Sequence, residues 1–211
     1  MKAVTAENIA VELARAPEGT TYILRDARIS GKLDLRRRVV NVPIYIQNCE
    51  FFDGVDLRNS EFTQIVNFSG CAFRSYLSGD PLESDSIEEE RSFTIYRKNF
   101  ILNEAVFEDA VSFVRVRCEG RVLLNRTDFK SIVSFSEASI GSDLDCTRAH
   151  FQAATSFQRI RCAGDGLFNE SQFRGRIDLS DASFGGALVC YAASFEQESD
   201  FYRLHCERGG F

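Results

Sequence analysis

The chain has 211 residues, 44% of them hydrophobic and 27% charged, with a formal net charge of −6 and a pI near 5.1. That acidic balance, without a basic stripe interleaved with aromatics, argues against direct nucleic-acid binding. No run of 18 apolar residues occurs and the first residues lack the charged-then-apolar layout of a signal peptide, so the sequence reads as a soluble, cytoplasmic protein without a membrane segment.

From the N-terminus, residues 5–14 read as a short helix, with Thr5 as N-cap and Ile9 and Leu13 on one face. Pro17, Glu18 and Gly19 end it. Its expected task is to cover the open end of the repeat that begins near Tyr22. From there large apolar residues return at alternating intervals of five and six: Leu24, Ile29, Leu35, Val40, Ile46, Phe51, Leu57, Phe62, Phe68, Phe73. The rhythm falters at Arg38, which stands two before Val40, and the run Arg36, Arg37, Arg38 reads as a solvated corner in preference to an anion patch. Pro43, lacking an N–H to pair, predicts a local irregularity.

After Phe73 the phase is lost, and Tyr96, Leu102 and Phe107 recover it. Residues 79–90 carry six acids, Asp80, Glu83, Asp85, Glu88, Glu89 and Glu90, and no base. They read as an inserted surface loop and a candidate interaction loop. Their charge equals the formal net charge of −6, which leaves the remaining body neutral.

From 105 to 206 the rhythm runs without a missed step, through Phe107, Phe113, Cys118, Leu124, Phe129, Phe135 and on to Phe195, Phe201 and Cys206. Two residues before each member stands something small or aliphatic, such as Ala105, Val111 and Val116. Identity repeats at twice the 11-residue period: Phe107, Phe129, Phe151, Phe173 and Phe195 recur at steps of 22. One turn of chain therefore takes 22 residues and has four sides, each a short extended segment presenting two side chains inward. The fold class is an all-β solenoid with a short N-terminal capping helix, in which each turn contacts only its neighbours. The expected divisions are 1–20 for the capping helix and turn, 21–78 for the first part of the coil, 79–91 for the insertion and 92–211 for the second part, all within one domain.

The phase also places glycines, cysteines and outer charges. Gly120, Gly164 and Gly186 fall two residues after an inward residue, where positive φ is cheap for glycine. All seven cysteines occupy inward slots; those sharing a side recur at steps of 44, and they read as buried small hydrophobes too far apart to bridge. On the outside, Arg115, Glu137, Arg159, Asp181 and Arg203 recur at steps of 22 and read as a register-fixing charge ladder.

The segments Val55-Asp56-Leu57-Arg58-Asn59, Ile177-Asp178-Leu179-Ser180-Asp181 and Ala182-Ser183-Phe184-Gly185-Gly186 match the approximate motif A(D/N)LXX. On these the chain resembles the pentapeptide-repeat proteins over roughly residues 22–206, with a sixth residue in every second unit as a departure. The resemblance implies a right-handed quadrilateral β-helix. It also implies a role in protein–protein contact, and in some members mimicry of duplex DNA toward DNA gyrase. Dimerisation through the C-terminal end is a further implication, and the series here breaks off with Phe211 one residue short of the next slot.

No catalytic, cofactor or metal site is expected. His150 and His205 each precede an inward residue and point outward on different sides, and no Ser or Cys has a neighbouring base in sequence pattern. The preferred expectation is a non-enzymatic scaffold for a protein partner. The alternative is a gyrase-protecting DNA mimic, disfavoured because its charge would sit in one loop instead of along the body.

Overall fold

The computed structural model describes residues 1–81 and 93–208. They coil into a four-sided solenoid built from one nine-stranded and three eight-stranded sheets, every pairing parallel. Strands are mostly two residues long, and the register joins residues one coil apart: Phe107 to Phe129, Phe129 to Phe151, Phe151 to Phe173 and Phe173 to Phe195. The 22-residue turn expected from the sequence is the turn observed. Among the described residues no helix is long and apolar enough to cross a membrane.

The alternation of five and six arises at two kinds of corner. In every five-residue interval the chain makes a β-turn whose third residue has positive φ, as at Leu102–Ala105, where the Ala105 N–H donates to the Leu102 carbonyl at 3.1 Å. Those left-handed residues recur every 11 positions and are mostly charged: Glu104, Arg115, Arg126, Glu137, Arg148, Arg159, Glu170 and Asp181 have φ between 54° and 59°. The residue two before the turn's second position fastens it. Asp56 Oδ1 accepts from the Arg58 N–H at 3.4 Å, Asp145 from Thr147 at 3.0 Å and Asp178 from Ser180 at 2.8 Å. This local bond is the physical reason for an Asp or Asn after the small residue of the motif.

The six-residue corners differ, and they correct the expectation for Gly120, Gly164 and Gly186. None of the three has positive φ. A Cβ on Gly120 would stand 2.7 Å from the Lys98 carbonyl carbon on the preceding coil, so the glycine answers a close approach between coils. Pro43 also departs from expectation, because no irregularity accompanies it. It precedes the regular strand Ile44–Gln47, outside the ladder, and its carbonyl accepts from the Tyr22 N–H at 2.9 Å.

The interior is aromatic. Phe51, Phe73, Phe107, Phe129, Phe151, Phe173 and Phe195 form one continuous stack, with successive centroids 4.6–5.1 Å apart and planes within 10°. The coil rise of about 4.8 Å sets that spacing. Phe157 meets Phe151 and Phe168 edge-on at 6.1 and 5.4 Å, which locks the stack against the neighbouring side. Of the five phenylalanines expected as core, four are buried, while Phe195 is 37% exposed because its strand, Ser194–Phe195, is the outermost of its sheet among the described residues.

Five cysteines are buried and two half-buried, all free, and burial pushes the Cys118 thiol up to about 12 and that of Cys162 up to about 11. The expectation that no two lie close needs one correction. Cys49 and Cys71 are one turn apart, on adjacent coils of the same side, as the pairing of their neighbours Glu50 and Ala72 shows.

At the N-terminal end the helix spans Ala6–Arg15 and is capped by Thr5, whose Oγ1 accepts from the Asn8 N–H at 3.3 Å. Ala6, Ile9 and Leu13 are buried against the first coil. The strand Lys2–Thr5, which the sequence pattern does not reveal, pairs with Ala27–Ser30 and covers that sheet's edge.

Candidate interaction face

Of the six acids expected to form an interaction loop, only Asp80 lies among the described residues; Glu83, Asp85, Glu88, Glu89 and Glu90 lie outside them. Gly79 belongs to the coil and not to the insertion: its N–H donates to the Ser112 carbonyl at 2.8 Å, and it fills the inward slot beside Phe113. Asp80 turns back onto the coil, accepting from the Ser112 hydroxyl at 2.6 Å and the Val114 N–H at 2.8 Å. It is therefore a fastening of the coil and not a free acid. The insertion rejoins the coil at Phe93, in the corner row that continues through Arg115 and Glu137.

Outside the core, side chains at the corners form ladders along the coil axis. In the row expected from sequence, Glu137 sits between Arg115 and Arg159, at 2.8 and 3.7 Å, and Arg203 meets Asp181 at 3.9 Å. The Arg115 hydrogen bond, backed by the charges of Arg159 and Arg161, holds the Glu137 carboxyl below the usual range. A second ladder, on another corner, was not foreseen: Glu104 pairs with Arg126 at 3.3 Å, and Arg148 with Glu170 at 2.9 Å. The same 22-residue step would have found it. Because the chain rises one strand spacing per turn, opposite charges one turn apart meet without reaching.

A buried cluster lies near the N-terminal end. The fully buried Asp56 meets Lys32 and Arg58 at 2.8 Å each and Arg36 at 3.5 Å. Burial opposes its charge, but hydrogen bonds from Arg58 and Lys32 together outweigh it and keep the carboxyl below its ordinary value. Arg36, one of the three consecutive arginines, is thus matched by Asp34 and Asp56.

The face adjoining the first ladder is unlike the rest. Its outward residues on successive coils are Arg117, Ser139 and Arg161, all exposed, flanking an open groove of about 570 Å³. Arg115 and Arg159 border the same groove, and among the described residues Glu137 is the one carboxylate lining it. The Arg117 guanidinium lies over the Phe93 ring, 4.6 Å from its centroid, which holds the charge upright on the face. Among the described residues neither Arg117 nor Arg161 has a carboxylate partner, in contrast to the arginines of both ladders. His150 and His205 are exposed, on different sheets, as expected. Among the described residues no three His, Cys, Asp or Glu side chains converge as metal ligands do.

Comparison with protein-family models, with curated proteins and with solved structures finds no match for this chain.

Proposed function

We propose that this chain is a non-enzymatic scaffold of the pentapeptide-repeat type that engages a protein partner through the face carrying Arg117, Ser139 and Arg161. The observation that carries the reading is the pair of unmatched guanidiniums on that face, held by a rigid coil whose other arginine rows are largely neutralised. Stacking on Phe93 restrains the Arg117 side chain before binding, and the planar forks of both arginines favour directional contacts with acidic groups. Both ladders mix signs along the axis, the first alternating and the second running Glu104, Arg126, Arg148, Glu170, so they supply positive charges where a mimic of duplex DNA needs a continuous negative one. This favours the scaffold over the gyrase-directed alternative.

The test is affinity capture from the native host's lysate with the intact chain and with Arg117→Glu/Arg161→Glu, both checked for unchanged melting. The expected result is a protein retained by the intact chain and lost with the charge-reversed one. Retention of the same proteins by both forms removes this face from the function.

A further inference from the structure

Two neighbouring outer rows differ by one residue type. On the corner the order is Arg115, Glu137, Arg159, and the carboxylate in the middle serves both arginines from one coil away on either side. On the adjoining face the order is Arg117, Ser139, Arg161. The arginines repeat, but the middle position carries a hydroxyl where its neighbour carries an anion. The face is a charge ladder with its central negative charge missing, and the groove lies over that gap.

We infer that this gap is a binding site for a phosphate monoester dianion, held between Arg117 and Arg161 above Ser139. The inference deepens the reading of this face as the contact surface and rests on it.

Charge decides between anions. Glu137 is in contact with Arg115 and Arg159, which leaves Arg117 and Arg161 as two positive charges with no carboxylate within ion-pair distance among the described residues, although the Arg161 charge is felt at Glu137. A phosphate monoester near neutral pH carries about −1.5 to −2 and matches them, whereas a single carboxylate matches half. Geometry agrees. Arg117 and Arg161 are two coils apart, about 10 Å along the axis. A phosphate accepting from two guanidiniums at roughly 2.8 Å places them a little closer than that, within the lean of flexible stems. Ser139 is small enough to leave the space open and contributes a hydroxyl donor at its floor. Phe93 holds Arg117 in place by stacking, so one wall of the site is formed before the ligand arrives.

The neighbouring ladder suggests the test. Ser139→Glu places a carboxylate where that ladder has one, at an exposed position that leaves the core untouched. Inorganic phosphate is titrated calorimetrically, at constant ionic strength near neutral pH, into the intact chain, Ser139→Glu, Arg161→Gln and, as a control from another face, Arg174→Gln. The expected result is saturable binding by the intact chain and Arg174→Gln, loss in Ser139→Glu, and at least about tenfold weakening in Arg161→Gln. A phosphoserine peptide and adenosine monophosphate are then compared with phosphate. Tighter binding of the peptide assigns the group to a partner protein, tighter binding of the nucleotide assigns it to a small molecule, and both keep the site. Absence of phosphate binding by the intact chain, or equal binding by all four proteins, overturns it. If phosphate fails while the charge reversal still abolishes partner capture, only the phosphate inference falls; if capture is unaffected while phosphate binds as expected, only the protein-partner reading falls.

Discussion

The inner phenylalanine row and the outer arginine rows share one 22-residue step but have opposite energetic weight. Inside, each ring between Phe73 and Phe173 touches a ring above and below and is nearly inaccessible to water. Burial of that kind contributes roughly 1.5–3 kcal/mol per side chain. Outside, exposed ion pairs contribute about 0–1 kcal/mol each. The fold is thus held from within, and the outer rows are left free to change sign or go unmatched. That freedom is what makes the gap at Ser139 informative: its side chain is exposed, so the core does not dictate which residue stands there.

The comparison can be broken most severely at the stack. Phe129→Ala removes a ring packed on both faces and is expected to cost about 3–5 kcal/mol, whereas Phe195→Ala, 37% exposed, is expected to cost less than half as much. Urea unfolding of the two variants measures the difference. Asp56→Asn comes next, with an expected loss of about 1–3 kcal/mol, because Lys32 and Arg58 lose a buried counter-charge. The carboxyl's lowered value gives the sign of its pH dependence. Its contribution is present above the ordinary carboxylate range near 4 and is lost as pH falls through the lowered folded value, so the native chain weakens on acidification in a way Asp56→Asn does not.

Smaller effects sharpen the comparison. Tyr96 is fully buried in the inner row and, among the described residues, its hydroxyl has no hydrogen-bond partner. Tyr96→Phe is expected to stabilise by about 1 kcal/mol, the reverse of most core changes. At the turns, Ala192 holds φ of 55° without a side-chain bond or charge pair to favour it, and Ala192→Gly is expected to gain from a few tenths to about 1 kcal/mol in melting experiments.

Much of this was legible in the sequence because the core repeats. Phase, coil length, inward residues, Thr5 as N-cap and the Arg115–Glu137–Arg159 ladder all come from spacing. The left-handed corners were not, because they are occupied by Arg, Glu and Asp, while the glycines that invite such a reading stand where coils approach closely. The strand Lys2–Thr5 is a single pass with no repeat to reveal it. The candidate face was missed for a related reason: one outer row drew attention by alternating sign, whereas the row beside it is noticeable only through the acid it lacks. Asp80 looked like part of an acidic run, and only its bonds to Ser112 and Val114 tie it to the coil instead.

The most direct test of inside against outside uses two adjacent residues, the buried Phe151 and the exposed Gln152, whose side chain meets Asp128 at 2.7 Å on the surface. Thermal and urea melting of Phe151→Ala and Gln152→Ala are compared under one set of conditions. A loss of about 3–5 kcal/mol for Phe151→Ala with less than about 0.5 kcal/mol for Gln152→Ala is the predicted result. Equal losses for the two would contradict the assignment of inner and outer rows, and with it the face on which function has been placed.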